Sequence, residues 1–255
     1  MRRIFLLLAV LCVVLAGTAV PTLADTLLGT PQGEQLTGTD GPDQIFGEDG
    51  DDTLAGRAGG DYLEAGPGTD VVAAGAGLDL VIGGTGGDRI ALDAGDDASY
   101  AGAGEDTVSG GAGGDTIYGQ AGDDILSGDA GQDTIFAGTG ADVAEGGAGD
   151  DEVQADGEGA VLRGGRGADR LTARGSGARL EGGGGRDVIF GGPGADGVVG
   201  GPGRDSIATG PGDDTIDAAD GSPDTVSCGA GQDTVRADRT DVLRGCERTT
   251  LRRQR

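Results

Sequence analysis

The sequence predicts an all-β fold, a parallel β-roll (β-solenoid) of about 24 nonapeptide repeats with two repeats per coil. Three observations carry this prediction. Aspartate recurs at every ninth position through most of the chain. An aliphatic residue follows it two positions later, with the same period. Glycine, 58 of 255 residues, fills the segments between.

The frame is clearest from Gly110 to Tyr118, which reads GGAGGDTIY. The next two nonapeptides are GQAGDDILS and GDAGQDTIF, and the one starting at Ala101 is AGAGEDTVS. The pattern is G-G-x-G-x-D-x-U-x, with U a large aliphatic residue. Position six holds Asp43, Asp52, Asp61, Asp70, Asp79, Asp88, Asp97, Asp106, Asp115, Asp124, Asp133, Asp142 and Asp151. It resumes with Asp169, Asp187, Asp196, Asp205 and Asp214. One inserted residue near Ala218 shifts the frame, which continues through Asp224 and Asp233. Position eight runs Ile45, Leu54, Leu63, Val72, Val81 and onward to Val235, with Ser99 and Ala144 as its weak members. A degenerate first unit, Gly29 to Thr37, puts Glu34 and Leu36 at these two positions.

Each position has a physical role. Glycines at positions one, two and four admit positive φ and leave no Cβ to obstruct close stacking. Their carbonyls can point into the turn, where the position-six carboxylate adds a charged oxygen. Calcium takes six to eight oxygen ligands, so one such turn is half a cage and a stacked turn supplies the other half. Position eight points inward from a short strand. Coils of two repeats stack as parallel strands about 4.8 Å apart, giving about 12 coils and a rod of roughly 55 Å. Its interior file of Val, Ile and Leu is too thin to hold the fold alone, so the cation acts as a folding cofactor.

About twenty such units in one frame resemble the RTX, or haemolysin-type, calcium-binding repeat family. The resemblance covers nearly all of the chain beyond the N-terminal segment. It implies a parallel β-roll with multiple Ca2+ ions between turns on both edges, the twenty position-six aspartates being the metal ligands.

Composition agrees with a cation-held fold. Gly and Pro form about a quarter of the chain, a share that alone suggests disorder. Aromatics are 3% and Trp is absent, so little can be buried in an ordinary core. The formal net charge is −26; without Arg2 and Arg3 it becomes about −28, which roughly 14 divalent ions would neutralise. An acidic chain repels nucleic acid. The sequence contains no His and no Lys, which removes the commonest general base, the Walker-type phosphate loop and Schiff-base chemistry.

Residues 1–24 are expected to be a signal peptide. Arg2 and Arg3 precede an apolar run from Ile4 to about Val20, and Thr22-Leu23-Ala24 offers a cleavage site before Asp25. The expected organisation beyond it is an N-terminal cap and degenerate repeat over 25–37, the calcium-binding roll over 38–236, and a C-terminal cap and basic tail over 237–255. Localisation is expected to be secreted, with no membrane association after cleavage. Cys228 and Cys246 lie 18 residues apart, one coil, and are expected to form a disulfide in an exported chain.

Two units lose the carboxylate. Repeat 155–163 has Ala160 at position six and repeat 173–181 has Ala178. Both fall on the edge carrying Asp52 through Asp142, in adjacent coils, and the gap should remove about three consecutive sites there. Six arginines, Arg163, Arg166, Arg170, Arg174, Arg179 and Arg186, crowd the same stretch, where guanidinium groups can pair with carboxylates. Neutral drift in a redundant array is the competing explanation.

The expected function is a secreted, calcium-folded structural or interaction module, with cell-surface material or glycans as candidate partners. An enzyme would need a non-repeat domain of about 100 residues, and every aspartate of the frame is already used by the repeat. The alternatives are an appendage or remnant of a secreted RTX enzyme or toxin, and a surface- or ice-binding solenoid. The last needs a regular outward row, yet position seven reads Gln44, Thr53, Tyr62, Val71, Leu80, Arg89 and Ala98.

Overall fold

A computed structural model describes residues 24–252. The expected signal peptide therefore lies, but for Ala24, outside the described residues. Twenty-six strands, from Thr26–Leu28 to Arg248–Leu251, form two 13-stranded parallel sheets. Consecutive strands alternate between the sheets, so each strand pairs with the one two places on in sequence. This is the right architecture for a nine-residue period: one repeat crosses to the opposite sheet and two close a coil.

Register follows the repeat. Ile117 pairs with Ile135 and Tyr118 with Phe136, a step of 18 residues. The step becomes 19 between Ile207 and Val226 and between Ile216 and Val235, which absorbs the insertion near Ala218. It shortens to 17 between Val226 and Leu243 and to 14 between Val235 and Thr249, where the roll ends. The roll extends one strand beyond the repeat count at each end, with Leu27 stacked below Ile45 and Thr249 above Val235.

The core is a double file. Ile45, Leu54, Leu63 and their successors to Val235 are buried at position eight. Position one also turns inward and is filled by glycine or small residues such as Ala65, Ala74, Ala101, Ala137 and Ala155. Where position eight shrinks to Ser99, position one of the same nonapeptide grows to the fully buried Leu92. Close stacking explains the turn glycines. At Gly113 (φ 134°) an added Cβ would lie 1.6 Å from the carbonyl oxygen of Gly95 in the coil below. From Val188 onward most strands shorten to three residues, as Pro193, Pro202 and Pro211 enter successive turns without an N–H to donate.

Candidate metal-binding site

Strand alternation decides where the aspartates go. Positions six, eight and one lie two residues apart and so face the same side. Position six, at the start of each strand, is therefore drawn inward with the core. All twenty aspartates expected as ligands are buried, none more than 3% exposed. They form two single files, one at each edge of the roll. Asp43, Asp61, Asp79, Asp97, Asp115, Asp133, Asp151, Asp169, Asp187, Asp205 and Asp224 make an unbroken file leading into the first sheet. Asp52, Asp70, Asp88, Asp106, Asp124 and Asp142, then Asp196, Asp214 and Asp233, lead into the second, with Ala160 and Ala178 between.

Each carboxylate divides its two oxygens. Oδ1 accepts the backbone N–H of the aspartate one coil earlier: Asp133 from Asp115 at 2.8 Å, Asp151 from Asp133 at 2.9 Å, Asp106 from Asp88 at 2.8 Å. Oδ2 is buried without a hydrogen-bond partner in nineteen of the twenty, Asp43 being the exception. A buried carboxylate oxygen with no donor is costly unless a cation meets it.

The surroundings supply more oxygen. A Cβ placed on Gly110 would stand 2.5 Å from Asp115 Oδ2 and 2.7 Å from the carbonyl oxygen of Gly128. The same pairing occurs at Gly56, between Asp61 Oδ2 and the Ala74 carbonyl. Where position one is glycine, it leaves open a cradle in which a carboxylate oxygen and a carbonyl of the next coil converge. Among the described residues no group of three His, Cys, Asp or Glu side chains is placed to hold a metal ion by itself. The donor set is a carboxylate file with backbone carbonyls, all hard oxygen ligands, which suits calcium and not a softer metal.

Electrostatics report the same frustration. Burial, reinforced by neighbouring carboxylates and opposed by the amide hydrogen bond, raises the Asp133, Asp169 and Asp224 carboxyls to about 7. It raises Asp88, Asp97, Asp124, Asp196 and Asp205 to about 6. Asp43 provides the contrast. Burial pushes it up too, but Thr39 donates its N–H to Oδ2 at 2.6 Å and Asp25 donates to Oδ1, and the net shift is downward.

The gap has its own structure. With alanine at 160 and 178, no carboxylate stands to receive the amides of Asp142 and Ala160, and the file resumes when Ala178 donates to Asp196 at 2.8 Å. The two atypical turns bond to each other, Gly159 N–H to the Ser176 carbonyl at 2.9 Å. Arg174 pairs with Asp156 at 3.6 Å, Arg170 with Glu152 at 3.5 Å and Arg163 with Glu181 at 4.0 Å, each one coil apart. Arg166, Arg179 and Arg186 form no ion pair among the described residues.

Asp25, Asp241 and Glu247, which the sequence reading missed, also belong to the files, as does Glu34 of the degenerate first unit. Asp241 accepts from Asp224 at 3.0 Å and Glu247 from Asp233 at 3.2 Å, so both extend the files into the C-terminal cap. Asp25 and Glu34 open them at the other end by donating to Asp43 and Asp52. The signal was present in Asp25-Thr26-Leu27 and Asp241-Val242-Leu243, which keep the D-x-U core of the repeat after the glycines are gone. Cys228 and Cys246 are disulfide-bonded, with Cα atoms 5.3 Å apart. The bridge forms although the local strand step is 17 rather than 18, so the two cysteines are offset by one residue in register.

Comparison with known proteins agrees with this geometry. No curated protein matches the chain significantly. The family described as RTX calcium-binding nonapeptide repeat (4 copies) matches residues 28–63, 64–98, 100–135, 127–158, 175–207 and 194–223, well over half of the chain. The longest stretch it leaves out between its first and last matched residues, 159–174, begins beside Ala160 in the interrupted file. With its repeat, its two-sheet roll and its files of buried aspartate, this chain belongs to the RTX calcium-binding nonapeptide repeat family.

Proposed function

We propose that the chain is a secreted protein whose β-roll folds on calcium and then serves outside the cell as a structural or interaction module, without enzymatic activity. The observation that carries the calcium part is the set of nineteen buried Oδ2 atoms without a donor. The oxygens that would hold the ions are those Oδ2 atoms together with backbone carbonyls of the next coil such as those of Ala74 and Gly128. Bound calcium supplies the positive charge that lets closely stacked carboxylates stay ionised inside the roll. The Oδ1 atoms meanwhile hold neighbouring coils in register through the amide ladder.

Secretion is supported by the basic and apolar N-terminal segment and by the paired cysteines. The absence of an enzyme role is supported by the twenty frame aspartates, each of which is committed to the ladder through Oδ1. The test is circular dichroism of the exported chain during a calcium titration. In excess chelator it should be mostly coil, and millimolar calcium, a range used by extracellular modules, should bring up β signal. Native-like β structure persisting in chelator at neutral pH would falsify the proposal. Recovery of the protein in the cell pellet with residues 1–24 still attached would overturn its secreted part.

A further inference from the structure

All six aromatic side chains of the described residues lie on the outward side of one sheet, and none is in the core. Phe46, Tyr100, Tyr118, Phe136 and Phe190 occupy position nine of strands in the first sheet, and Tyr62 position seven. The equivalent row on the second sheet runs from Ala55, Ala73, Ala91, Ser109 and Ser127 to the charged Glu145, Arg163 and Glu181, with no aromatic residue. In an ordinary protein aromatics are spent on burial. Here the core is filled by aliphatics and the few aromatics form an outer stripe.

The stripe is ordered. The rings of Tyr100 and Tyr118 stack with centroids 4.7 Å apart and planes 2° from parallel. Those of Tyr118 and Phe136 stack at 5.0 Å and 13°. Rings in contact at about 3.5–4 Å but centred further apart are slid over one another, so each leaves part of a face and an edge open. Tyr100 is 38% and Phe190 37% exposed. From Leu80 to Phe136 the two outward rows of this sheet contain no charged residue, in a chain of formal charge −26. Beyond them, Arg170 lies 4.9 Å from the Phe190 ring centre and pairs with Glu152, giving the stripe a polar end. At the other end the Tyr62 hydroxyl donates to Glu64 at 2.7 Å.

We infer that this stripe is a docking surface for a linear, uncharged polysaccharide lying along the axis of the roll. The inference rests on the interaction-module reading above and names its partner. Size separates this occupant from a second copy of the chain. Eight coil steps from Phe46 to Phe190 and a face three residues wide give about 38 by 10 Å. That is about half of the roughly 800 Å² per partner in a stable protein interface. Charge separates it from an acidic polymer, because the outward rows from Leu80 to Phe136 offer no cation to pair with one. The rung spacing of about 4.8 Å is comparable to the length of one pyranose unit in an extended chain. The apolar C–H faces of the sugars meet the shingled rings, and their hydroxyls meet Tyr hydroxyls, Glu64, Glu152 and Arg170.

The calcium-loaded full chain is incubated with insoluble cellulose, β-1,3-glucan and chitin, and with alginate as the anionic comparison. Retention on at least one neutral polymer and none on alginate is expected. The triple variant Tyr100→Ala, Tyr118→Ala, Phe136→Ala should lose at least tenfold in binding with an unchanged calcium-driven β signal. Val71→Ala, on the opposite face, should bind as the parent does. If the triple variant does not fold, tyrosine nitration of the parent decides: a soluble oligosaccharide of the bound glucan or chitin should protect Tyr100 and Tyr118. A chain that folds on calcium yet binds no neutral polymer overturns this inference alone. So does binding unchanged in the folded triple variant, retention on alginate only, unprotected tyrosines, or a dimer that the triple variant dissociates.

Discussion

Asp133 accepts the backbone N–H of Asp115 through Oδ1 at 2.8 Å, while its Oδ2, equally buried, meets no donor at all. One carboxylate thus does two separable things. Oδ1 fastens adjacent coils, and Oδ2 is the atom proposed to take the cation. Substitution can part them. In Asp133→Asn the amide oxygen can still receive the Asp115 N–H, and the buried charge is gone. The variant should keep at least the parent's β signal in chelator and need several-fold more calcium to complete folding. Asp133→Ala leaves the Asp115 amide buried and unpaired, which costs about 1–3 kcal/mol, and should be weaker with or without calcium. Calcium-titrated circular dichroism on both variants checks this; equal behaviour of Asn and Ala contradicts the division of labour.

Acid should partly replace calcium. The folded-state carboxyls of Asp133, Asp169 and Asp224 are raised to about 7 and those of Asp88, Asp97, Asp124, Asp196 and Asp205 to about 6. The unfolded value is about 3.9, so the folded chain binds more protons across this interval. Its calcium-free stability is therefore greatest below about pH 4 and is lost as pH rises through 6 to 7. In chelator, β signal should grow on acidification from pH 7.5 towards 4. Calcium competes with those protons, so the calcium midpoint should rise as pH falls, and binding near pH 6 should release protons. A chelated chain that loses structure on acidification over this range contradicts the assignment.

The interruption at Ala160 and Ala178 should make the array asymmetric. The file leading into the first sheet stays continuous past it through Asp151, Asp169 and Asp187. The other file loses two carboxylates, and Arg174–Asp156 and Gly159–Ser176 contacts hold the turns instead. Hydrogen exchange at limiting calcium should show 155–181 opening before the flanking coils, because its exposed ion pairs contribute little. The double variant Ala160→Asp, Ala178→Asp should bind more calcium per chain, read by equilibrium dialysis. Best protection of 155–181 in the parent, or an unchanged stoichiometry in the variant, goes against this.

The Cys228–Cys246 bridge closes a short loop between the last full coil and the cap. By loop-entropy arithmetic such a loop is worth about 3 kcal/mol. The intact mass should be two hydrogens below that of the reduced chain, with one linked peptide after digestion. Reduction, or Cys228→Ser with Cys246→Ser, should raise exchange over 226–251 while coils near Asp115 keep their protection. Full labelling of thiols in the denatured, unreduced protein excludes the bridge.

The repeat, the inward row of position eight and the choice of edge for each aspartate were all legible in the sequence. They are consequences of period: two residues alternate faces, nine cross the roll and 18 close a coil, so Asp115 and Asp133 must stack whatever surrounds them. The gap was legible for the same reason, since Ala160 and Ala178 are 18 apart. What only the tertiary structure decided lies in distances that period does not set. It assigned Oδ1 to an amide and left Oδ2 bare, because the stacked backbone presents one N–H per coil to each carboxylate. It joined Asp241 and Glu247 to the files after the step had shrunk to 17 and 14 residues, where counting fails but strand pairing persists. It chose which arginines find acids, since those pairs depend on side-chain reach. And it brought Tyr100, Tyr118 and Phe136 into ring contact, because parallel strands about 4.8 Å apart hold identical positions at stacking distance, and outward rings there have only each other and solvent to touch.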